Sequence, residues 1–145
     1  MAFEQFNGGY TFTAPTVADL LPGYLVKAMS TAEAGTSNPE DVIKVDKCDA
    51  AGDAKLCVGI SLGSTTSGNL ASVATGGMYR VYAAAAVDEG VPVTTSADPL
   101  AVQPITFTCA GSEQALVYTG DVIGKTLNPA GSGEEVFILL NTSNG

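Results

Sequence analysis

Three short segments from the first half of this sequence return in the second half at a nearly constant distance. They are GYLV at 23–26 with GVPV at 90–93, CVGISL at 57–62 with VIGKTL at 122–127, and ASVATGG at 71–77 with EEVFILL at 134–140. The offsets are 67, 65 and about 63 residues. A repeat distance of this kind is typical of a duplicated structural unit. The spacing therefore predicts two similar halves, with the recurrence of ordinary β-strand composition as the alternative.

The composition favours strands over helices in both halves. Only 14% of the 145 residues are charged, and 17 are glycine. Val, Thr and aromatic residues, which suit a pleated sheet, recur in the apolar segments. Strand candidates lie at 23–29, 41–48, 56–62, 70–83, 91–96, 101–109, 115–127 and 135–141. We predict a mainly β fold: a small β-barrel or β-sandwich with an extended N-terminal arm and an internal two-fold repeat. Closing the sheet would remove its exposed edges.

Two segments could instead be helical. Ala83–Ala86 is a run of the best helix former, but it is too short to form a helix by itself. We therefore predict an extended connector that leads into the second half. The segment TVADLL at 16–21 predicts one helical turn, with Thr16 as its N-cap. The Gly76-Gly77 pair predicts a bulge or a sharp bend between strand segments.

The first 22 residues are unusually aromatic for a chain terminus and are interrupted by glycines and by Pro15. We predict an N-terminal arm at 1–22, followed by a β-rich domain at 23–145. The aromatic residues of the arm are Phe3, Phe6, Tyr10 and Phe12. Aromatic side chains on an extended segment can pack on a partner, and the segment can add a strand to the partner's sheet. Packing on the chain's own barrel is the alternative.

The charge balance limits the expected partners. The chain has 15 Asp and Glu residues against 6 Lys and Arg, for a net charge of −9. Nucleic-acid binding needs a basic surface, and an anionic membrane would repel this chain, so neither partner is expected. No apolar run approaches the ~20 residues of a transmembrane helix. The opening residues lack the features of a secretory signal, so we expect synthesis in a cytoplasm.

The residue types that carry catalysis and metal binding are sparse. The sequence contains no His, so the commonest general base and every Ser–His–Asp or Cys–His site are missing. Cys48, Cys57 and Cys109 fit small buried apolar positions, with a Cys48–Cys57 disulfide as the alternative. The segment DKCDAAGD at 46–53 loosely resembles a calcium loop but lacks the required Gly and Glu, so we predict a turn. We expect no enzyme activity, no metal and no cofactor.

The order of the strand motifs resembles that of a known family. GYLVKA, VGISLG, ASVATGGMYRVY, AAVDEGVPVTT and VIGKTLNPAGSGEEVFILL, which lie between residues 23 and 140, are similar to motifs of the small capsid decoration proteins of tailed phages and related viruses. The resemblance implies a virion structural protein that stabilises the expanded icosahedral capsid from outside, as trimers at three-fold positions. Its partners would be the major capsid protein and other copies of itself. The insert at 30–41 departs from the family pattern.

In such proteins the N-terminal segment often contacts the capsid. By position alone, this implies that Phe3, Phe6, Tyr10 and Phe12 bind the capsid. The alternative function is a capsid- or tail-attached fibre base or receptor-binding module. With no Trp, its sugar-stacking surface would use Tyr79, Tyr82 or Tyr118, which strand alternation places at least partly inside. A carboxylate-based hydrolase is a third hypothesis, and it lacks a suitable base.

Overall fold

Eleven strands and one 3-10 helix form the regular structure of the residues that the computed structural model describes, which are 4–6, 11–29, 43–105 and 122–142. The strands are β1 (Glu4–Phe6), β2 (Thr11–Pro15), β3 (Leu25–Ala28), β4 (Val45–Lys47), β5 (Cys57–Ser61), β6 (Leu70–Ala74), β7 (Gly76–Ala83), β8 (Pro92–Thr95), β9 (Ala101–Pro104), β10 (Gly124–Thr126) and β11 (Glu135–Asn141). The 3-10 helix is Ala51–Leu56, and it begins inside the segment at 46–53 that the sequence predicts to be a turn. The prediction of a mainly β fold is confirmed.

The strands form two five-stranded units with the same strand order. In the second unit, barrel 2, the order β7-β11-β10-β8-β9 closes on itself because β9 pairs in parallel with β7. In the first unit, barrel 1, the order is β2-β6-β5-β3-β4. Its outer strands meet at a parallel bridge between Thr16 and Val45, the counterpart of the contact between β7 and β9. Ring closure removes the exposed edges that a flat sheet of five strands would have.

Backbone pairing confirms the internal repeat. Leu20 bridges Thr65 in barrel 1, and Val87 bridges Ala130 in barrel 2. The partners in the second pair lie 67 and 65 residues beyond those in the first. The first two of the three predicted segment pairs have these same offsets and are therefore in the correct register.

The third predicted segment pair is wrong by two residues. Leu62 donates its amide hydrogen to the carbonyl oxygen of Ser72 at 3.0 Å, and Leu127 donates to that of Phe137 at 2.8 Å. This equivalence aligns β6 with residues 135–139, at an offset of 65 instead of about 63. Short apolar segments match in several registers, and the hydrogen-bonding pattern selects one of them.

Alternating side chains on the strands fill the interior of barrel 2. Every second residue of β11 is buried from Val136 to Leu140, and β7 alternates in the same way. Tyr79 is fully buried and donates its hydroxyl hydrogen to the carbonyl oxygen of Gly76 at 2.9 Å, so its polar end is satisfied. Burying one large apolar side chain stabilises a fold by roughly 1.5–3 kcal/mol. The main inward residues are Tyr79, Val81, Val93, Val102, Val136, Ile138 and Leu140.

Two glycines at equivalent positions allow neighbouring strands to approach closely. A Cβ atom at Gly59 would overlap the carbonyl oxygen of Ala74, and one at Gly124 would overlap the carbonyl oxygen of Leu139. Any larger residue would therefore push β5 away from β6, or β10 away from β11. The same steric constraint in both barrels explains why glycine recurs 65 residues apart in VGI and IGK.

The two segments that could have been helical are not. Ala83 is the last residue of β7, and Ala84–Ala86 form an exposed bend. The run is therefore a connector and not a helix, but it joins β7 to β8 inside the second repeat instead of leading into it. The helical turn predicted at 16–21 is wrong. The Thr16 hydroxyl donates to the carbonyl oxygen of Ala18 at 2.7 Å, and this local bond competes with a helix.

The chain crosses from one barrel to the other through a single residue. Thr75 separates the end of β6 from the start of β7. Gly77 has a φ angle of 120°, which favours glycine because a Cβ atom would be strained there. The break between β6 and β7 lies at Thr75, one residue before the Gly76-Gly77 pair where a bulge or a sharp bend was predicted, and it marks the boundary between the two repeats.

The side of barrel 1 closes one end of barrel 2, and we call this contact the junction. Leu25, Ile60 and Ala74 are fully buried and belong to the same apolar cluster as the interior of barrel 2. The amide of Leu25 donates to the carbonyl oxygen of Pro99, in the loop between β8 and β9, at 2.8 Å. The interior of barrel 2 is therefore completed by residues from barrel 1.

The glycine constraint predicts the effect of small substitutions. Gly59→Ala and Gly124→Ala should each lower the free energy of unfolding by about 1–3 kcal/mol, because the added methyl group overlaps a backbone carbonyl. Gly63→Ala is the control, since a Cβ atom there meets no atom within 4 Å. Urea denaturation followed by circular dichroism measures all three. Equal stabilities for the three variants would contradict the proposed close approach.

Candidate interaction surfaces

Phe12, one of the four predicted capsid-binding residues, contributes to the chain's own core. It lies on β2 opposite Val73 and is half-buried. Its side chain packs against the apolar cluster inside barrel 1. The buried members of that cluster are Ala14, Leu20, Val26, Val45, Ala71 and Val73. Residues 11–15 of the predicted arm are therefore a strand of barrel 1.

The backbone of the N-terminal segment also pairs with barrel 2. In β1, Glu4 lies opposite Tyr79, and Phe6 lies opposite Met78. Phe3 and Tyr10 lie outside the described residues. Binding of the capsid by the four arm aromatics stays a prediction, and the structure adds that two parts of the arm pair with the chain's own sheets.

The outward face of barrel 2 carries an exposed apolar surface, which we call the outer patch. It spans β7, β11 and the end of β10, and its residues are Met78, Tyr82, Leu127, Phe137 and Leu139. Tyr82 and Leu139 are 43% and 37% exposed. An ion pair of 3.4 Å between Arg80 and Glu135 lies within it. Strands of antiparallel sheets that are apolar on both faces are usually covered on both, so this surface suits a protein contact.

The repeat shows that the fold does not require the outer patch. The equivalent positions in barrel 1 are Thr11, Pro15, Leu62, Ser72 and Ala74. Thr and Ser replace Met and Phe, yet the strand order is the same. At Met78 and Phe137, therefore, the apolar side chain is a property of the surface of barrel 2 and is not required by the fold. Of the tyrosines considered for sugar stacking, Tyr79 is buried, Tyr82 is exposed, and Tyr118 lies outside the described residues.

Two of the molecule's concave surfaces lie on different barrels. The side groove, on the outside of barrel 2, has a volume of about 400 Å³. Its lining includes Gly90, Pro92, Val122, Lys125, Leu139 and Asn141. The end pocket, at one end of barrel 1, has a volume of about 240 Å³. Its lining includes Phe12, Ala14, Ala28, Ile43, Val45 and Val58.

The two described cysteines are free thiols beside the junction. Cys48 and Cys57 are buried and form no disulfide. The hydrogen bond with Cys57 and burial both raise the pKa of the Cys48 thiol, so this group stays protonated. The prediction of small buried apolar positions is confirmed for these two residues. Cys109 lies outside the described residues.

An ion pair fixes the 3-10 helix against the side of barrel 1. The Nζ atom of Lys27 donates to Oδ1 of Asp53 at 2.9 Å, and both side chains are largely buried. The other carboxylate oxygen accepts the amide hydrogens of Asp49 and Ala50. Burial raises the pKa of Asp53, but the bonds from Lys27 and the two amides lower it by more, so the net pKa is below its ordinary value. These bonds hold Ala50 where its carbonyl oxygen accepts a hydrogen bond from Thr95 of barrel 2.

Within residues 4–6, 11–29, 43–105 and 122–142, no group of three or more His, Cys, Asp or Glu side chains is arranged to hold a metal ion. The same residues include no helix with the length and hydropathy that a membrane span requires.

Comparison with known proteins identifies a similar fold. No protein-family model matches the chain, and no curated protein sequence matches it either. Among solved structures, the chain is similar to the N base of the head fibre gp8.5 in bacteriophage phi29, with a TM-score of 0.59 and 16% sequence identity. The similarity covers 100% of this chain and 98% of that one. The resemblance to proteins of the phage head is thus confirmed at the level of the fold.

The Lys27–Asp53 pair predicts how stability depends on pH. Asp53→Asn should lower the free energy of unfolding at pH 7 by about 1–2 kcal/mol, because a charged hydrogen-bond acceptor is lost. The folded-state pKa of Asp53 is lowered. Its contribution is therefore complete above the ordinary value of 3.8 and disappears as the pH falls through the folded-state pKa.

Urea denaturation at pH 7 and near pH 2 measures this difference. Asp88→Asn is the control, because Asp88 is an exposed turn residue, and its stability should stay within about 0.5 kcal/mol of wild type. A stability loss in Asp53→Asn that is the same at both pH values would contradict the role of the ionised carboxylate.

Proposed function

We propose that this chain is a structural protein of a tailed-phage virion. It binds the outside of the expanded capsid and stabilises it, as homotrimers at three-fold positions. Its partners are the major capsid protein and other copies of itself, and it acts without enzyme activity, nucleic acid or membrane. The observation that carries the proposal is the similarity in fold, over the whole chain, to the base of a phage head fibre.

The surface of barrel 2 supports a role in protein binding. The outer patch offers exposed Tyr82, Leu127 and Leu139, and large exposed apolar surfaces mark protein contacts. Many copies bound to one capsid would gain from the repetition of contacts around a symmetric shell. The net charge of −9 makes the free copies repel one another, which favours solubility.

The same fold similarity favours a second function equally. The chain could be the base of a fibre or a receptor-binding module on the capsid or tail. In that case, the outer patch would hold the fibre or the receptor, and the capsid would gain no stability. The two functions therefore differ in their effect on the shell.

Co-sedimentation with capsids of the phage tests the proposal. We expect saturable binding to expanded capsids and none to unexpanded ones. A variant without residues 2–10 removes β1 but keeps β2, which barrel 1 needs. Loss of binding in this variant would assign the contact to the arm, and retained binding would assign it to the barrels. A variant in which residues 2–10 are replaced by a Gly/Ser segment of equal length controls for chain length.

Failure to bind either kind of capsid would contradict attachment to the capsid. A second measurement separates the two functions: the temperature at which expanded capsids lose their integrity, with and without saturating protein. A decoration protein should raise this temperature because it adds contacts between capsid subunits. Binding with no change in temperature would favour the fibre base or receptor-binding module.

A further inference from the structure

The junction is a directional contact, in which the side of one barrel covers the end of the other. The side is the outward face of β3, β5 and β6 in barrel 1, where Leu25, Ile60 and Ala74 are fully buried. The end belongs to barrel 2, where the Thr95 hydroxyl donates to the carbonyl oxygen of Ala50 at 2.7 Å. Both barrels have the same fold, so each has a side and an end of this kind. The junction uses the side of barrel 1 and the end of barrel 2, so the side of barrel 2 and the end of barrel 1 take no part in it.

The unused side lies on barrel 2, on the outward face of β8, β10 and β11. The repeat offsets place three of its residues where barrel 1 has the three fully buried side residues. They are Pro92, Lys125 and Leu139. The same three residues line the side groove. Leu139 is 37% exposed, whereas its counterpart Ala74 is 0% exposed.

The unused end lies on barrel 1, at the end pocket. Phe12 and Val58 line this pocket and are half-buried. Their counterparts in barrel 2 are Tyr79 and Ile123, which are 0% and 1% exposed because the junction covers them. Among the described residues, the end of barrel 1 thus receives no cover like the one that barrel 1 gives to the equivalent end of barrel 2.

We propose that a second copy of this chain covers the end pocket of barrel 1 with the side groove of its own barrel 2. The contact would repeat, between molecules, the junction that each molecule already contains. It joins two different surfaces, so each copy binds one neighbour at its end pocket and another at its side groove. Contacts of this type build a closed ring or an open filament. Three copies would form a ring of six barrels. The number of copies, three, rests on the proposed function, and the contact itself does not.

The contact between copies would lack two hydrogen bonds that the junction has. Pro92 has no amide hydrogen, so it leaves out the hydrogen bond that its counterpart Leu25 donates in the junction. Ala28 stands where barrel 2 has Thr95, so the side-chain bond made by that threonine is missing as well. Leu139 adds apolar area that its counterpart, Ala74, does not have. Burial of apolar surface therefore supplies most of the stabilisation.

Lys125 lowers the electrostatic cost of this association. The salt bridges among the described residues are Lys27–Asp53 and Arg80–Glu135, so Lys125 forms none within that part of the chain. Its positive charge lies in the side groove of a chain with a net charge of −9. Placed against an acidic neighbour, it reduces repulsion between copies, while its aliphatic stem covers apolar surface.

Two substitutions test the proposal, one in each surface. Leu139→Glu places a charge in the side groove, and Ile43→Glu places one at the rim of the end pocket, where Ile43 is 53% exposed. Leu70→Glu is the matched control, because Leu70 is 66% exposed and the equivalent residue of barrel 2 is already Glu135. All three sites are exposed, and circular dichroism checks that each variant is folded.

Native mass spectrometry and sedimentation velocity measure the number of copies. We expect the wild type and Leu70→Glu to form the trimer, and each single-surface variant to be a monomer. An equimolar mixture of Leu139→Glu and Ile43→Glu should form a heterodimer and nothing larger, because one intact side groove meets one intact end pocket. A symmetric contact between identical surfaces would not give this result.

A monomeric wild type, or an oligomer whose size neither substitution changes, would overturn the inference. In either case, binding to expanded capsids would leave the proposed function standing. The converse result is a heterodimer in the mixture without capsid binding. It would support the contact between copies and contradict the proposed function. A wild-type assembly of another size that shows the same mixing behaviour would keep the contact and reject the number three.

Discussion

The burial of barrel 2's open end organises the molecule. A small β-barrel buries its side wall by pairing strands, but its ends stay open unless something covers them. Here the cover is the side of barrel 1, and the buried residues of both units form one cluster around Leu25, Ile60 and Tyr79. The 3-10 helix, the free thiols and the Lys27–Asp53 pair all lie beside this contact. This contact therefore covers the side of barrel 1 and the end of barrel 2.

The sequence predicted the strand-rich fold and the duplication because both depend on local constraints. At residues 59 and 124, a neighbouring carbonyl oxygen leaves room for glycine alone. Because the same requirement applies in both barrels, glycine recurs at equivalent positions of the sequence. The register of the third segment was wrong because β6 and β11 share little beyond small or apolar residues. The helical turn at 16–21 was wrong because its backbone pairs with residues far away in the sequence, which a local pattern does not contain.

The candidate surfaces were harder to predict for a physical reason. Phe12 is an aromatic residue on an extended segment. The sequence pattern is the same whether such a side chain packs in the chain's own core or on a binding partner. The outer patch and the two concave surfaces combine residues from strands that are far apart in the sequence, so no single segment predicts them. The duplication does contain the missing information. Two copies of one fold reveal, position by position, which apolar residues the core needs and which it does not.

The single-residue connection between the barrels has a mechanical consequence. A long linker would let one barrel swing or stretch away from the other under load. With only Thr75 between β6 and β7, and with an apolar cluster spanning both units, a force on one barrel moves the other with it. Such a chain behaves mechanically as one short rigid body. It transmits tension from one barrel to the other without first extending between them.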